Sequence, residues 1–196
     1  MRRCWLVAGV LLLLGAALAG CFVARPAETA PPGASWTHAV DEFPLIAPTG
    51  LDPGQLRLVD ILRREHAARE PATKYSSGVP EPWCADFISW NLRAAGMPLV
   101  NPNSGGWRIP GTRTLADYYR SAGRFRTPDS GHQPTVGDVV FYSAQSPFGQ
   151  HASMVLANEG GELTTIGGNE GDQVRVRRVS IGRTAGVLGF GLLPRT

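Results

Sequence analysis

Apolar positions in the first half of residues 51–196 recur at helical spacing. Leu58, Val59, Ile61 and Leu62 share one face of a helix that Asp52 can cap, with Pro53 at the first helical position and Gln55 completing a capping box. Counting from Cys84, the stripe Phe87, Ile88, Leu92 and Ala95 predicts a second helix, closed by Gly96 and Pro98. Leu115, Tyr118, Tyr119 and Ala122 predict a third over about 113–122, ended by Gly123. The second half changes character. Residues 138–142 (DVVFY) read as a buried strand, followed by strands at 151–156, 162–166, 173–179 and 187–193. In 173–179, Val174, Val176 and Val179 alternate with Arg175, Arg177 and Arg178, the mark of a half-exposed strand. Gly160-Gly161 is a good hairpin turn. Helices first and consecutive strands after them predict an α+β domain, its N-terminal helices packed on an antiparallel sheet.

The start of the chain follows other rules. Arg2 and Arg3 precede Leu6–Leu18, an almost wholly apolar run that is short for a membrane span and suits a signal-peptide core. It ends in Leu18-Ala19-Gly20-Cys21, which resembles the lipobox of bacterial lipoproteins, where the cysteine is lipidated and becomes the new N-terminus. The alternative is a plain secretory signal with an incidental Cys21. The expectation is therefore an exported protein, held on the bacterial membrane through lipid at Cys21 and facing the cell wall. Residues 1–20 are then the signal and 21–50 a tether rich in proline and alanine. Residues 51–196 are the domain. Trp36, Phe43, Leu45 and Ile46 interrupt the tether composition, so its second half is a candidate to pack on the domain surface.

Charge narrows the partners. Of 19 basic residues two are Arg2 and Arg3, so signal removal takes the formal net charge from +3 to +1. Such a balance gives no footprint for nucleic acid. A monomer is expected.

Processing also leaves Cys84 as the one cysteine of the domain, since Cys4 lies in the signal and Cys21 at its end. No disulfide within the domain is then possible. The bland reading of Cys84 is a small buried hydrophobe. Its place after Pro82 at a helix start, where the helix dipole favours the thiolate, argues for chemistry. Of the domain's histidines, His151 opens a strand. If the strands on either side of Gly160-Gly161 pair, His151 and Asn169 stand at about equal distance from the turn and face each other across the ladder.

Four segments in order carry a family resemblance: Trp83-Cys84-Ala85-Asp86-Phe87, Gly137-Asp138-Val139-Val140-Phe141, His151-Ala152-Ser153-Met154-Val155 and Gly168-Asn169. Together they resemble the CHAP domain, a branch of the NlpC/P60-type cysteine peptidases, over about residues 54–193. The resemblance implies a papain-like fold and cleavage of an amide bond in peptidoglycan, as an N-acetylmuramoyl-L-alanine amidase or a stem or cross-bridge endopeptidase. It carries the nucleophile to Cys84, the general base to His151 and the residue that orients the imidazole to Asn169. Many members have a Glu two residues before this Asn. Here that position is Gly167, which leaves a Cys-His-Asn set without its acidic member. Glu170 is adjacent, but would point to the opposite face if the strand continued. Some members bind calcium through acidic residues ahead of the cysteine. The stretch with Tyr75, Ser77 and Glu81 has few carboxylates, so no metal or other cofactor is expected.

The chemistry suits these residue types. An imidazole beside a thiol at a helix start favours the ion pair, and the thiolate can form a thioester that water resolves. Tyr75, Trp83 and Trp107 are candidates to line a substrate groove, with core or loop anchoring as the alternative for the two tryptophans. Asp138 reads as a turn residue or a supporting group. Gly167 keeps open a wall-binding module without turnover, and the thioester keeps open acyl transfer to an amine.

Overall fold

The computed structural model describes residues 37–194. Four helices precede or accompany seven strands, and the fold is α+β. The helices are α1 (Pro53–Ala68), α2 (Ala72–Tyr75), α3 (Cys84–Ala94) and α4 (Thr112–Ser121). The strands are β1 (Thr37–Val40), β2 (Phe125–Arg126), β3 (Val139–Tyr142), β4 (His151–Glu159), β5 (Glu162–Gly167), β6 (Arg175–Ser180) and β7 (Val187–Gly191). They form one sheet in the order β1-β6-β5-β4-β3-β7-β2, with every neighbouring pair antiparallel. No helix among the described residues is long and apolar enough to cross a membrane. The expected signal, Cys21 and the first part of the tether lie outside the described residues.

The capping box predicted at α1 forms as written. Asp52 Oδ1 accepts from the Gln55 backbone N–H at 2.8 Å, and Gln55 Oε1 accepts from the Asp52 N–H at 3.0 Å. Gln55 then reaches across the fold, its Nε2 donating to the Val136 carbonyl at 2.8 Å. The helix is thereby tied to the turn that starts β3.

Helix α3 is buried on nearly all sides, not on a single stripe. Phe87, Ile88 and Leu92 face the core as predicted, but Asp86, Ser89 and Asn91 are buried too. Asp86 and Ser89 face the loop at 97–111, while Asn91 Nδ2 donates back to the Phe87 carbonyl at 2.7 Å. Asp86 Oδ1 accepts from Arg108 Nη1 at 2.7 Å, and Ser89 Oγ accepts from the Ile109 N–H at 3.2 Å. Arg108 also pairs with Glu81. These bonds offset part of the cost of taking polar groups out of water, while Asp86 Oδ2 and Asn91 Oδ1 find no partner among the described residues. The same bonds clamp both chain segments that flank the helix. Burial pushes the Asp86 carboxyl above its usual range, and Arg108 only partly offsets this.

The folded region begins before the expected boundary at 51. Thr37–Val40, within the expected tether, pairs with β6 from Thr37↔Val179 to Val40↔Val176. Val176 and Val179 of β6 are both buried, on opposite faces of the sheet and in separate apolar clusters, and β1 covers the outer edge of β6.

Candidate active site

The N-terminus of α3 sets Cys84. Its preceding residue, Trp83, makes no side-chain cap to the helix, so the backbone N–H groups of the first turn keep free polarity. Trp83 is held instead by stacking. Its ring lies 5.1 Å from that of Tyr75 with planes only 7° apart, and its Nε1 donates to Asp172 Oδ1 at 3.2 Å. The backbone at Gly168 presses on the same indole: a Cβ there would collide with the Trp83 ring and come 2.6 Å from Phe87 Cβ. A glycine at 168 lets the end of β5 approach the start of α3, which brings the sheet to the thiol.

His151 arrives from the sheet. It opens β4, paired with Tyr142 of β3. The preceding turn is ordered by Ser146, whose Oγ accepts from the Phe148 N–H at 3.2 Å and donates to the Gly149 carbonyl at 2.7 Å. That turn sets Phe148 against the imidazole, ring centroids 5.7 Å apart, with Tyr142 on a near-parallel plane at 6.1 Å. Cys84 and His151 are neighbours, each shifting the titration of the other. The Cys84 Sγ also meets Thr112 Oγ1 at 3.5 Å. Both Cys84 and His151 are about one-twentieth exposed.

The third group at the site is Glu170, not Asn169. Glu170 Oε1 lies 3.2 Å from His151 Nε2, while the side chain of Asn169 is not among the imidazole's partners. The predicted hairpin does form. Its ladder runs from Glu159↔Glu162 to Met154↔Ile166, with a bulge between Val155 and Ala157. Pairing stops before it reaches His151. Asn169 then turns into the left-handed region at φ 61°, and the Glu170 N–H donates to the Gln173 carbonyl at 3.0 Å. Side-chain alternation holds only while a strand continues. The left-handed residue ends it and swings Glu170 back to the ring.

Gly167 makes room for this arrangement. A Cβ at 167 would collide with Glu170 Oε1 and come 2.9 Å from His151 Nε2. The absent side chain at 167 and the carboxylate from 170 therefore share one space. A glycine just before an Asn-Glu-Gly turn was the sequence signal that could have located the acid. The other Glu170 oxygen accepts from Arg177 Nε of β6, and the Glu170 carbonyl accepts from Arg175 Nε at 2.9 Å. One carboxylate thus links β6 to the imidazole.

The electrostatics follow from these contacts. Burial pushes the Cys84 thiol up, but the hydrogen bond and charge of His151, with help from Thr112 and Ala152, bring it below its ordinary value. Burial pushes His151 down. Cys84 and Glu170 outweigh it and raise the imidazole from 6.5 to about 9. The balance favours a thiolate–imidazolium pair, which titrates as a unit. With Nε2 given to Glu170, Nδ1 is the nitrogen left for the thiol.

The aromatic candidates divide. Tyr75 and Trp83 are both essentially unexposed in the core, so neither can line a groove. Large flat side chains next to the cysteine suited either role, and the Gly168 contact decides it. Burial and its hydrogen bond to Glu65 push the Tyr75 hydroxyl far above its usual range. Trp107 is half-buried on the 97–111 loop, covered by the Arg93 guanidinium at 4.6 Å and bordering a separate depression with Ser77 and Asn101. Asp138 is a clamp. It accepts from the Thr135 N–H, the Leu193 N–H and His132 Nε2 within 2.9–3.0 Å. No group of three side chains suited to a metal ion occurs among the described residues.

A cysteine at a helix start, an imidazole on the facing sheet and a carboxylate behind it form an arrangement suited to covalent acyl transfer. The comparison with known families points the same way: a CHAP domain is detected over residues 74–169, a span that holds Cys84, His151 and Asn169 and ends one residue before Glu170. Neither the curated proteins nor the solved structures contain a match.

Proposed function

We propose that this protein is a peptidoglycan hydrolase that cleaves an amide bond through a thioester on Cys84. The carrying observation is the buried Cys84–His151–Glu170 chain, in which Glu170 lies against the imidazole and favours its charged form, and the imidazole favours the thiolate. The CHAP domain supplies the substrate class. A papain-like core, with a cysteine helix laid on an antiparallel sheet, is the frame this reading implies.

In this mechanism the Cys84 thiolate attacks the amide carbonyl. The Cys84 backbone N–H, free at the first turn of α3, donates to the developing oxyanion. His151 protonates the leaving amine, and the thioester remains on Sγ. His151 then takes a proton from water as the water attacks the thioester, and the acid product leaves with the thiolate restored. Glu170 holds the ring in orientation and stabilises its charged form. Arg177 fixes the carboxylate. The Gly167 gap, which suggested a wall-binding module without turnover, loses that force once Glu170 occupies the space.

Lipidation at Cys21 would place the domain on the membrane facing the wall, an assignment that rests on the Leu18-Ala19-Gly20-Cys21 sequence.

The test is digestion of purified sacculi with the domain under reducing conditions, with fragments followed by mass spectrometry. New amine ends are expected, and their position separates amidase from endopeptidase. Sacculi left intact would refute hydrolysis. Added amines appearing on the product would indicate transfer in place of hydrolysis.

A further inference from the structure

Beside the thiol, a cleft of about 360 Å³ opens between α4 and the β3–β7 side of the sheet. It begins at Thr112, whose hydroxyl touches Cys84 Sγ, and at Gln150, next to His151. It ends at Leu188, one of the few large apolar side chains left exposed. The cleft therefore lies one side chain away from the thiol, and its lining is distinct from the residues that do the chemistry.

Its lining has a definite chemistry. Two arginines and one carboxylate border it. Arg120 is neutralised by Asp117 at 2.8 Å and lies over the Phe125 ring at 4.4 Å. Arg113 has no ion-pair partner among the described residues and stands exposed on the helix turn that carries Thr112. One positive charge without a partner among the described residues thus borders the cleft. Phe141 and Tyr142 border it but are wholly buried, so they offer no aromatic face on which a sugar ring could stack. Ala116 and Leu188 supply small and aliphatic surface.

We propose that this cleft is a subsite for a peptide segment of small aliphatic residues carrying a free carboxylate, with Arg113 as its counter-ion. The inference rests on the reading of the protein as a peptidoglycan amide hydrolase, and assigns the peptide arm of the substrate to this side of Cys84. Arg113 is a specificity-determining residue and takes no part in bond breaking.

Binding to the Cys84→Ala protein tests it without turnover. The probe is a synthetic stem tetrapeptide (L-alanine, γ-linked D-glutamate, L-lysine, D-alanine) with its carboxylates free, compared with the same peptide amidated at each carboxylate in turn. Titration calorimetry is expected to show one amide binding about three- to tenfold more weakly than the free acid, the range of a partly screened ion pair. Adding Arg113→Gln should weaken the free acid by the same factor and leave that amide unchanged, with Arg113→Lys restoring part of the difference. An unchanged ratio in Arg113→Gln, equal binding of acid and amides, or no peptide binding overturns the proposal. So does preferential binding of a muropeptide's disaccharide. In the active protein, Arg113→Gln should raise KM and spare kcat. Intact sacculi with the unaltered protein would instead overturn the hydrolase reading, which the binding ratios do not address.

Discussion

His151 Nε2 and Glu170 Oε1 lie 3.2 Å apart, although Glu170 follows the strand that pairs with β4 and stands three residues beyond its last strand position. The contact exists because the chain reverses at Asn169 and because Gly167 leaves the intervening space empty.

Glu170 raises the imidazole, so its loss should lower it. Glu170→Gln is expected to reduce kcat/KM on the order of 100-fold, the lower range for the contribution of the acid–base group that it orients. The alkaline limb of the pH profile, set near 9 by His151, should move to lower pH. Asn169→Ala should change activity much less. The pH–rate profiles of the three proteins check this, and equal losses in both variants would return the role to Asn169.

The same shift makes a stability prediction. A histidine raised from 6.5 to about 9 on folding contributes stability that is complete below pH 6.5 and disappears as the pH rises through 9. Glu170→Gln should therefore cost more stability at pH 6 than at pH 10. Urea melts at the two values measure the difference, and a pH-independent loss would contradict it.

Gly167→Ala adds a single methyl where the carboxylate and imidazole meet. The backbone there is not left-handed, so the effect is steric. Overpacking of this kind costs about 1–3 kcal/mol. Activity should fall as in Glu170→Gln while the domain still folds, and circular dichroism with a turnover assay separates the two effects.

Trp83→Ala should destabilise by about 3–5 kcal/mol, the usual cost of removing a fully buried large aromatic. Trp83→Phe should keep the fold and most turnover. A Trp83→Ala protein of unchanged stability with a raised KM would restore the groove role that its burial argues against.

Cys21→Ser should release the full-length protein from the membrane fraction of its host into the soluble fraction, with the domain's turnover on sacculi unchanged. Fractionation with immunodetection reads this directly. Retention on the membrane would refute lipid anchoring at Cys21.

Local pattern made much of this protein readable. The capping box at Asp52 and Gln55 acts within one turn and forms as its spacing predicts. The helix at Cys84, the five later strands and the Gly160-Gly161 hairpin also follow from short-range periodicity. The α+β class follows from their order. Cys84 and His151 could be paired because each opens an element whose type was evident.

The remainder depended on contacts between distant residues. Whether Trp83 faces substrate or core turns on how closely Gly168 approaches, which no spacing along the chain records. Thr37–Val40 has a tether's composition and becomes a strand because β6 offers a free edge. The sequence by itself determined the elements and the chemical identity of the thiol and imidazole, since periodicity and capping are local. Only the tertiary structure decided that the carboxylate beside His151 is that of Glu170. A strand's alternation predicts direction only up to its last residue, and the left-handed turn at Asn169 lies just beyond it.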